Sequence, residues 1–161
     1  MRWANLPRRG YTLVELLMVL AILALLAAMT MPLAEMTVQR DKEREFKRAL
    51  WEIRDAIDAY HRARESGALA GAHGSSTYPP DLQTLTQPAS DARAERRGDV
   101  MRFLRRVPRD PFADPSLPAE RSWGLRSYLS EADKPQPGAD VYDVHSLSDQ
   151  PGLNGVPLKQ W

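Results

Sequence analysis

The sequence predicts an α+β chain: a long N-terminal helix, apolar in its first half, followed by a small head built on an antiparallel sheet. Three observations predict it. First, from Leu16 to Ala34 no residue is charged, and the apolar run that contains this stretch extends from Tyr11 to Pro32. Second, neither glycine nor proline occurs between Glu35 and Glu65. There Phe46, Leu50, Ile53, Ile57 and Tyr60 recur at steps of four and three, the apolar stripe of an amphipathic helix. Third, of thirteen prolines and nine glycines only Pro7, Gly10 and Pro32 precede residue 67, so turns concentrate in the second part.

Composition narrows the function. At 161 residues the chain has room for one modest domain plus a membrane segment. A formal net charge of +1 gives no global pull towards nucleic acid or acidic substrates. The absence of cysteine excludes a disulfide framework, a thiolate metal site and a cysteine nucleophile, without fixing the compartment.

Residues 1–10, MRWANLPRRG, carry Arg2, Arg8 and Arg9 and no acid. A basic leader before an apolar run is the pattern of a secretory signal peptide, whose apolar core usually spans about 7–15 residues. This run is longer and reaches the roughly 20 residues that cross a bilayer. Its small-residue end, LLAAMTMPLAE, offers only weak cleavage candidates. A retained anchor and a cleaved signal both remain open, with length favouring the anchor. The charge distribution places the N-terminus in the cytoplasm and the rest outside. Glu15 is the anomaly, because a carboxylate at the centre of a membrane helix costs about 2.5–3.5 kcal/mol, and less towards its end. It either snorkels towards the headgroups or meets a cation.

The join RRG-YTLVE bears on that choice. Basic residues, a glycine, an aromatic and a glutamate at the fifth position after the glycine resemble the prepilin signature of type IV pilins and type II secretion pseudopilins. The resemblance implies cleavage after Gly10 by a membrane peptidase and methylation of the new amine of Tyr11. Tyr11 stands where the family most often has phenylalanine. Glu15 would then pair, in a helical filament, with the amine of a neighbouring subunit, and the pair would fix the axial register. Pro32, the twenty-second residue from Tyr11, also falls where the family has a proline. It is expected to kink or locally melt the helix, or to end it at the membrane edge. The organisation implied is a leader at 1–10, a transmembrane and assembly helix at 11–32, an amphipathic periplasmic helix at 33–66 and a head at 67–161. Gly67 and Gly71 act as stop signals. A helix from Tyr11 to Glu65 would be roughly 80 Å long.

In the head, YPPDLQTLTQP at 78–88 reads as a turn and a short helix begun near Asp81. Arg93 to Arg109 holds seven arginines against Glu95 and Asp99. Val100, Met101, Phe103, Leu104 and Val107 within it suit a short helix ending before Pro108. The arginines suit a solvated face or a subunit contact better than a nucleic-acid patch, which would interleave exposed aromatics. SWGLRSYLS at 122–130 and ADVYDVHSLS at 139–148 read as partner strands, in an expected sheet of three. RRVPRDPF at 105–112 resembles an element of the G-type pseudopilin, the major subunit of the type II secretion pseudopilus. It is expected to lead into the first strand, with Asp110 structural.

DVHSLSDQPGLNG at 143–155 resembles the same family's calcium-binding loop. The resemblance implies a set made of the Leu147 carbonyl, Ser148, Asp149 and Asn154. The acidic stretch is shortened here and Asp149 is the sole carboxylate after the strand. Calcium takes six to eight hard oxygens, so a closed polar turn around Asn154-Gly155 is the expected form, with Trp161 packed back on the head. No cofactor is expected otherwise. His61, His73 and His145 fall in no metal or nucleophile motif, and the chain is not expected to be an enzyme.

The resemblance thus implies a structural subunit of a type II secretion pseudopilus in the bacterial inner membrane, with its head in the periplasm. Its implied partners are further copies of itself, minor pseudopilins, the inner-membrane assembly platform and the prepilin peptidase. A cytoplasmic ATPase would supply the energy, and nucleic acid is not among the partners expected. Two rivals stay open: a type IV pilus subunit serving adhesion, motility or DNA uptake, and an anchored or secreted protein unrelated to pili.

Overall fold

A single 53-residue helix, α1 (Leu13–Glu65), opens the chain in the computed structural model. The structure describes residues 10–70, 76–92 and 100–161, except for the side chains of 28–34. It divides into two units, Met1–Gln39 and Arg40–Trp161, each described by itself. The helix begins at Leu13 rather than Tyr11, and its helical assignment continues through Pro32. A helix break at Pro32 is therefore not found. Proline removes one backbone donor, and the turns on either side carry the helix past it.

In the first unit the apolar side chains from Leu13 to Leu26 are all exposed. Among the described residues no helix is long and apolar enough to cross a membrane. The described part of the run, Leu13–Ala27, falls short of the roughly 20 residues a span requires. The remainder of the expected 11–32 span lies outside the described side chains.

In the second unit α1 buries Phe46, Ala49, Leu50, Ile53, Ala56 and Ile57, the predicted stripe with two alanines added. Tyr60 packs at its margin. Phe46 anchors the core, stacked on Trp123 (5.6 Å between centroids) and met edge-on by Phe112 and Trp161 (both 5.9 Å). Burying each such side chain contributes about 1.5–3 kcal/mol. The helix ends at Glu65, where Gly67 turns left-handed (φ +74°) and Leu69 N–H reaches back to the Ala63 carbonyl. Gly71 and His73 lie outside the described residues.

Among the described residues the head carries two antiparallel pairs rather than one three-stranded sheet. Strands β1 (Ala89–Ser90) and β2 (Val100–Met101) form the first. Strands β3 (Trp123–Arg126) and β4 (Asp143–Ser146) form the second, with Trp123 opposite Ser146 and Leu125 opposite Val144. The expected helix before Pro108 is absent among the described residues 100–109. There Phe103 and Leu104 both donate to the Leu85 carbonyl, and Leu104 and Val107 turn into the core. RRVPRDPF does not lead into the first strand either: the next strand is β3, eleven positions beyond Phe112 and the third in chain order among the described residues. Asp110 is fully buried, and its carboxylate accepts from Ser146 Oγ (2.6 Å) and Phe112 N–H (2.7 Å). These bonds hold the 108–112 turn against β4, so it has no free edge for a ladder. The segment after Asp81 is a single 3-10 turn, Thr84–Thr86, capped by Asp81 Oδ1 through Thr84 N–H (2.7 Å).

Arg54 of α1 ties this layer together. It donates to both carboxylate oxygens of Asp143 (2.8 and 3.4 Å) and to the Trp161 carbonyl (3.1 Å). Residues 127–138 form a loop held from beneath by Asp140. Asp140 accepts from Ser127 Oγ (2.7 Å), Tyr128 N–H (2.9 Å) and Ser76 Oγ (2.5 Å).

Candidate functional site

The residues that carry the processing and assembly signature stand at the start of α1. Gly10 and Tyr11 precede the helix, and Tyr11 is 78% exposed. Thr12 is the N-cap: its carbonyl accepts the Leu16 N–H (3.1 Å) and its Oγ1 accepts the Glu15 N–H (3.2 Å). Glu15 is therefore the third residue of the helix, and Thr12-Leu13-Val14-Glu15 reads as the S/T-x-x-E capping box. That spacing is legible in the sequence as Thr12 followed three residues later by Glu15. A carboxylate in the first turn also faces the positive end of the helix dipole, worth about 0.3–1 kcal/mol. Among the described residues no cation pairs with Glu15. The Gly10–Tyr11 bond thus lies just ahead of the cap, outside the helix.

On both sides of Glu15 the helix presents leucine, methionine, valine and isoleucine, with Leu13, Val14 and Met18 about two-thirds exposed or more. An apolar surface of this extent marks a lipid or protein contact. The side chain of Pro32 lies outside the described residues.

The second predicted site is the loop after β4. Three of its four donors, Ser148, Asp149 and Asn154, are engaged within the chain. Ser148 Oγ accepts from Gln150 N–H (3.3 Å) and Asn154 Oδ1 from Val156 N–H (3.0 Å). Asp149 pairs with Lys159 Nζ at 2.5 Å, with both side chains largely exposed. Leu147 is exposed. The loop closes as a three-residue hairpin. Gly155 N–H bonds to the Gly152 carbonyl, Gly155 takes φ +77°, and Gly152 N–H bonds to the Val156 carbonyl. This is a type I turn with a glycine bulge rather than an Asn-Gly type I′ turn. Gly152 is required there, because a Cβ would stand 2.4 Å from the Trp161 ring. Glu43 of α1 accepts the Leu153 N–H (2.7 Å) and fixes the hairpin to the helix. With one carboxylate, already countered by an ammonium, these residues do not fit calcium, and no group of three metal-ligating side chains occurs among the described residues.

The two described histidines pack within the head. His61 stacks on Tyr78 (4.3 Å) and lies 3.4 Å from Glu65. His145 lies flat over Gly124, its Nδ1 2.9 Å from the Ser146 carbonyl. Ser146 faces the opposite side and is spent on Asp110. Burial pushes the Asp110 carboxyl above the usual carboxylate range, while the Ser146 hydroxyl, the Phe112 N–H and Arg109 pull it back.

Residues 6–31 match the family model of the prokaryotic N-terminal methylation motif, a type IV pilin-like prepilin signal. No curated protein and no solved structure matches the chain.

Proposed function

We propose that this chain is a structural subunit of a type II secretion pseudopilus, of the G type. It is cut after Gly10, methylated on Tyr11 and polymerised through its N-terminal helix. The observation that carries the reading is the methylation motif over residues 6–31, with Glu15 fifth after Gly10 and placed in the first helical turn. A cut at Gly10 leaves the apolar helix in the mature chain. A new cationic amine at Tyr11 is the natural partner for Glu15, since a buried carboxylate is tolerated only when paired. The buried Asp110 of the RDPF turn, and Trp161 packed on Phe46, support the secretion type over a pilus subunit. The partners are copies of itself, minor pseudopilins, the inner-membrane assembly platform and the prepilin peptidase. The head lies in the periplasm.

The test is intact mass and N-terminal sequencing of the chain from bacterial membranes. A start at Tyr11 carrying one methyl group is expected. A start at Met1, or beyond residue 28, would overturn the reading. Deletion should then stop export of folded proteins while sparing surface pili and motility, and the reverse pattern would mark a pilus subunit.

A further inference from the structure

A knob and a socket stand on different faces of the head. The knob is the tip of the 127–138 loop, where Tyr128 is 60% and Leu129 91% exposed. This tip is built to project. Besides the Asp140 contacts, Ser127 N–H bonds to the Gln136 carbonyl (2.9 Å) and Gln136 N–H to Ser130 Oγ (2.8 Å). A preformed apolar tip loses little entropy when covered, and Leu129 with the exposed rings of Tyr128 and Tyr142 makes a contiguous apolar patch of the kind that marks a contact. Glu131 and Asp133 follow it, exposed and without ion-pair partners among the described residues.

The socket is a groove of about 350 Å³ beside α1, where Ala56 and Ala59 leave room next to Phe103 and Leu104. Glu52 and Asp55 form one rim and Arg105 the other, with Arg102 and Arg106 exposed nearby. None of these three arginines pairs with an acid among the described residues. Asp55 also borders the hollow on the other flank of α1, which holds Arg126 and Tyr142. Tyr142 in turn touches Tyr128 (5.5 Å). The helix ridge at Asp55 therefore divides the socket flank from the knob flank.

We propose that the knob of one copy seats in the socket of the next, Leu129 and Tyr128 entering beside Phe103. Glu131 and Asp133 then face Arg102 and Arg105, and Arg126 faces the acidic rim. The occupant is a second copy because the two halves of the contact are present on one chain, with apolar and charged parts matched in both signs. Because knob and socket are different surfaces, the contact is heterologous, and repeating it builds an open helical filament rather than a closed dimer. The inference rests on the filament reading and adds a contact between heads to the one between helices.

The cysteine-free sequence allows a direct test. The full chain carrying L129C and R105C, both at exposed positions, is assembled in cells, and sheared filaments are treated with a short bismaleimide. Covalent dimers, trimers and longer ladders are expected for the double variant, and monomer alone for each single variant. Filaments that form and bind maleimide at both thiols without laddering would overturn the proposal. Dimers from L129C alone would also overturn it, since they mark a symmetric contact. If Tyr11 is methylated and filaments ladder only through helix positions, the filament reading survives and this contact falls. If no processed chain and no filament appear, both fall.

Discussion

Glu15 has two candidate roles, and substitutions separate them. The Thr12 cap uses the backbone N–H of residue 15, so it survives any side chain there. The carboxylate adds a capping-box and dipole contribution of about 0.3–1 kcal/mol. Glutamine preserves the capping reach and removes the charge, whereas alanine removes both. If the carboxylate pairs with the amine of a neighbouring copy, losing one partner of a buried pair costs about 3–5 kcal/mol. At about 1.4 kcal/mol per tenfold, subunit addition falls a hundredfold or more. Glu15→Gln and Glu15→Ala are therefore expected to fail equally in assembly, with cleavage after Gly10 intact in both. Thr12→Ala, which loses the cap at a cost of about 0.5–2 kcal/mol but keeps the charge, should assemble better than either. The assay is the ratio of sheared filament to membrane-held subunit, normalised to chain that begins at Tyr11. Wild-type assembly by Glu15→Gln would refute the pairing and leave helix capping as the role of this residue.

Arg54→Met keeps the aliphatic stem but strands Asp143 and the Trp161 carbonyl. With both charged side chains 26% exposed, a loss of about 1–3 kcal/mol is expected, read as a melting shift of several degrees by circular dichroism. Asp140 is buried, which opposes ionisation, but hydrogen bonds from Ser76, Ser127 and Tyr128 outweigh this and hold its carboxyl below the usual range. A carboxyl depressed in the folded state stabilises above its unfolded pKa, near 3.9, and the gain is lost as pH falls through the folded value. The stability gap between wild type and Asp140→Asn should thus be full at neutral pH and close in acid, and a gap unchanged down to pH 2 would contradict this. Chelation with EGTA should leave the melting temperature of the head unchanged, because Lys159 already neutralises Asp149. A clear rise in millimolar calcium would show that the loop binds the ion.

The helix and its two halves were legible because they depend on local rules: absence of breakers, a 3.6-residue stripe and a glycine stop. Gly67 ends α1 where the glycine predicts, and Phe46, Leu50, Ile53 and Ile57 all enter the core. The head was less legible because its short strands are fixed by distant partners. Val100 and Met101 have the composition of a helix segment, yet they pair with Ala89 and Ser90 because the next residues hang on the Leu85 carbonyl. The third strand failed for a related reason: buried Asp110 draws its turn towards Ser146, a partner 36 positions away. At the N-terminus the glycine, the aromatic and the glutamate were read, while the threonine that joins them into a cap was missed. The scarcity of carboxylates after β4 could be read from composition, but the ammonium beside Asp149 could not, since it stands ten positions further on.

The bonds from Glu43 to Leu153 and from Arg54 to Trp161 close segments of 110 and 107 positions. Phe46 is likewise covered by a ring from residue 161. Closing so long a segment is slow relative to forming the helix. Until residues 153–161 have been made, the middle of α1 therefore lacks its last cover, the Trp161 ring on Phe46 and the bonds of Glu43 and Arg54. Under the proposed function, this order makes completion of the head a checkpoint before assembly. Until that segment arrives, the Phe46 ring stays uncovered on the side that Trp161 closes.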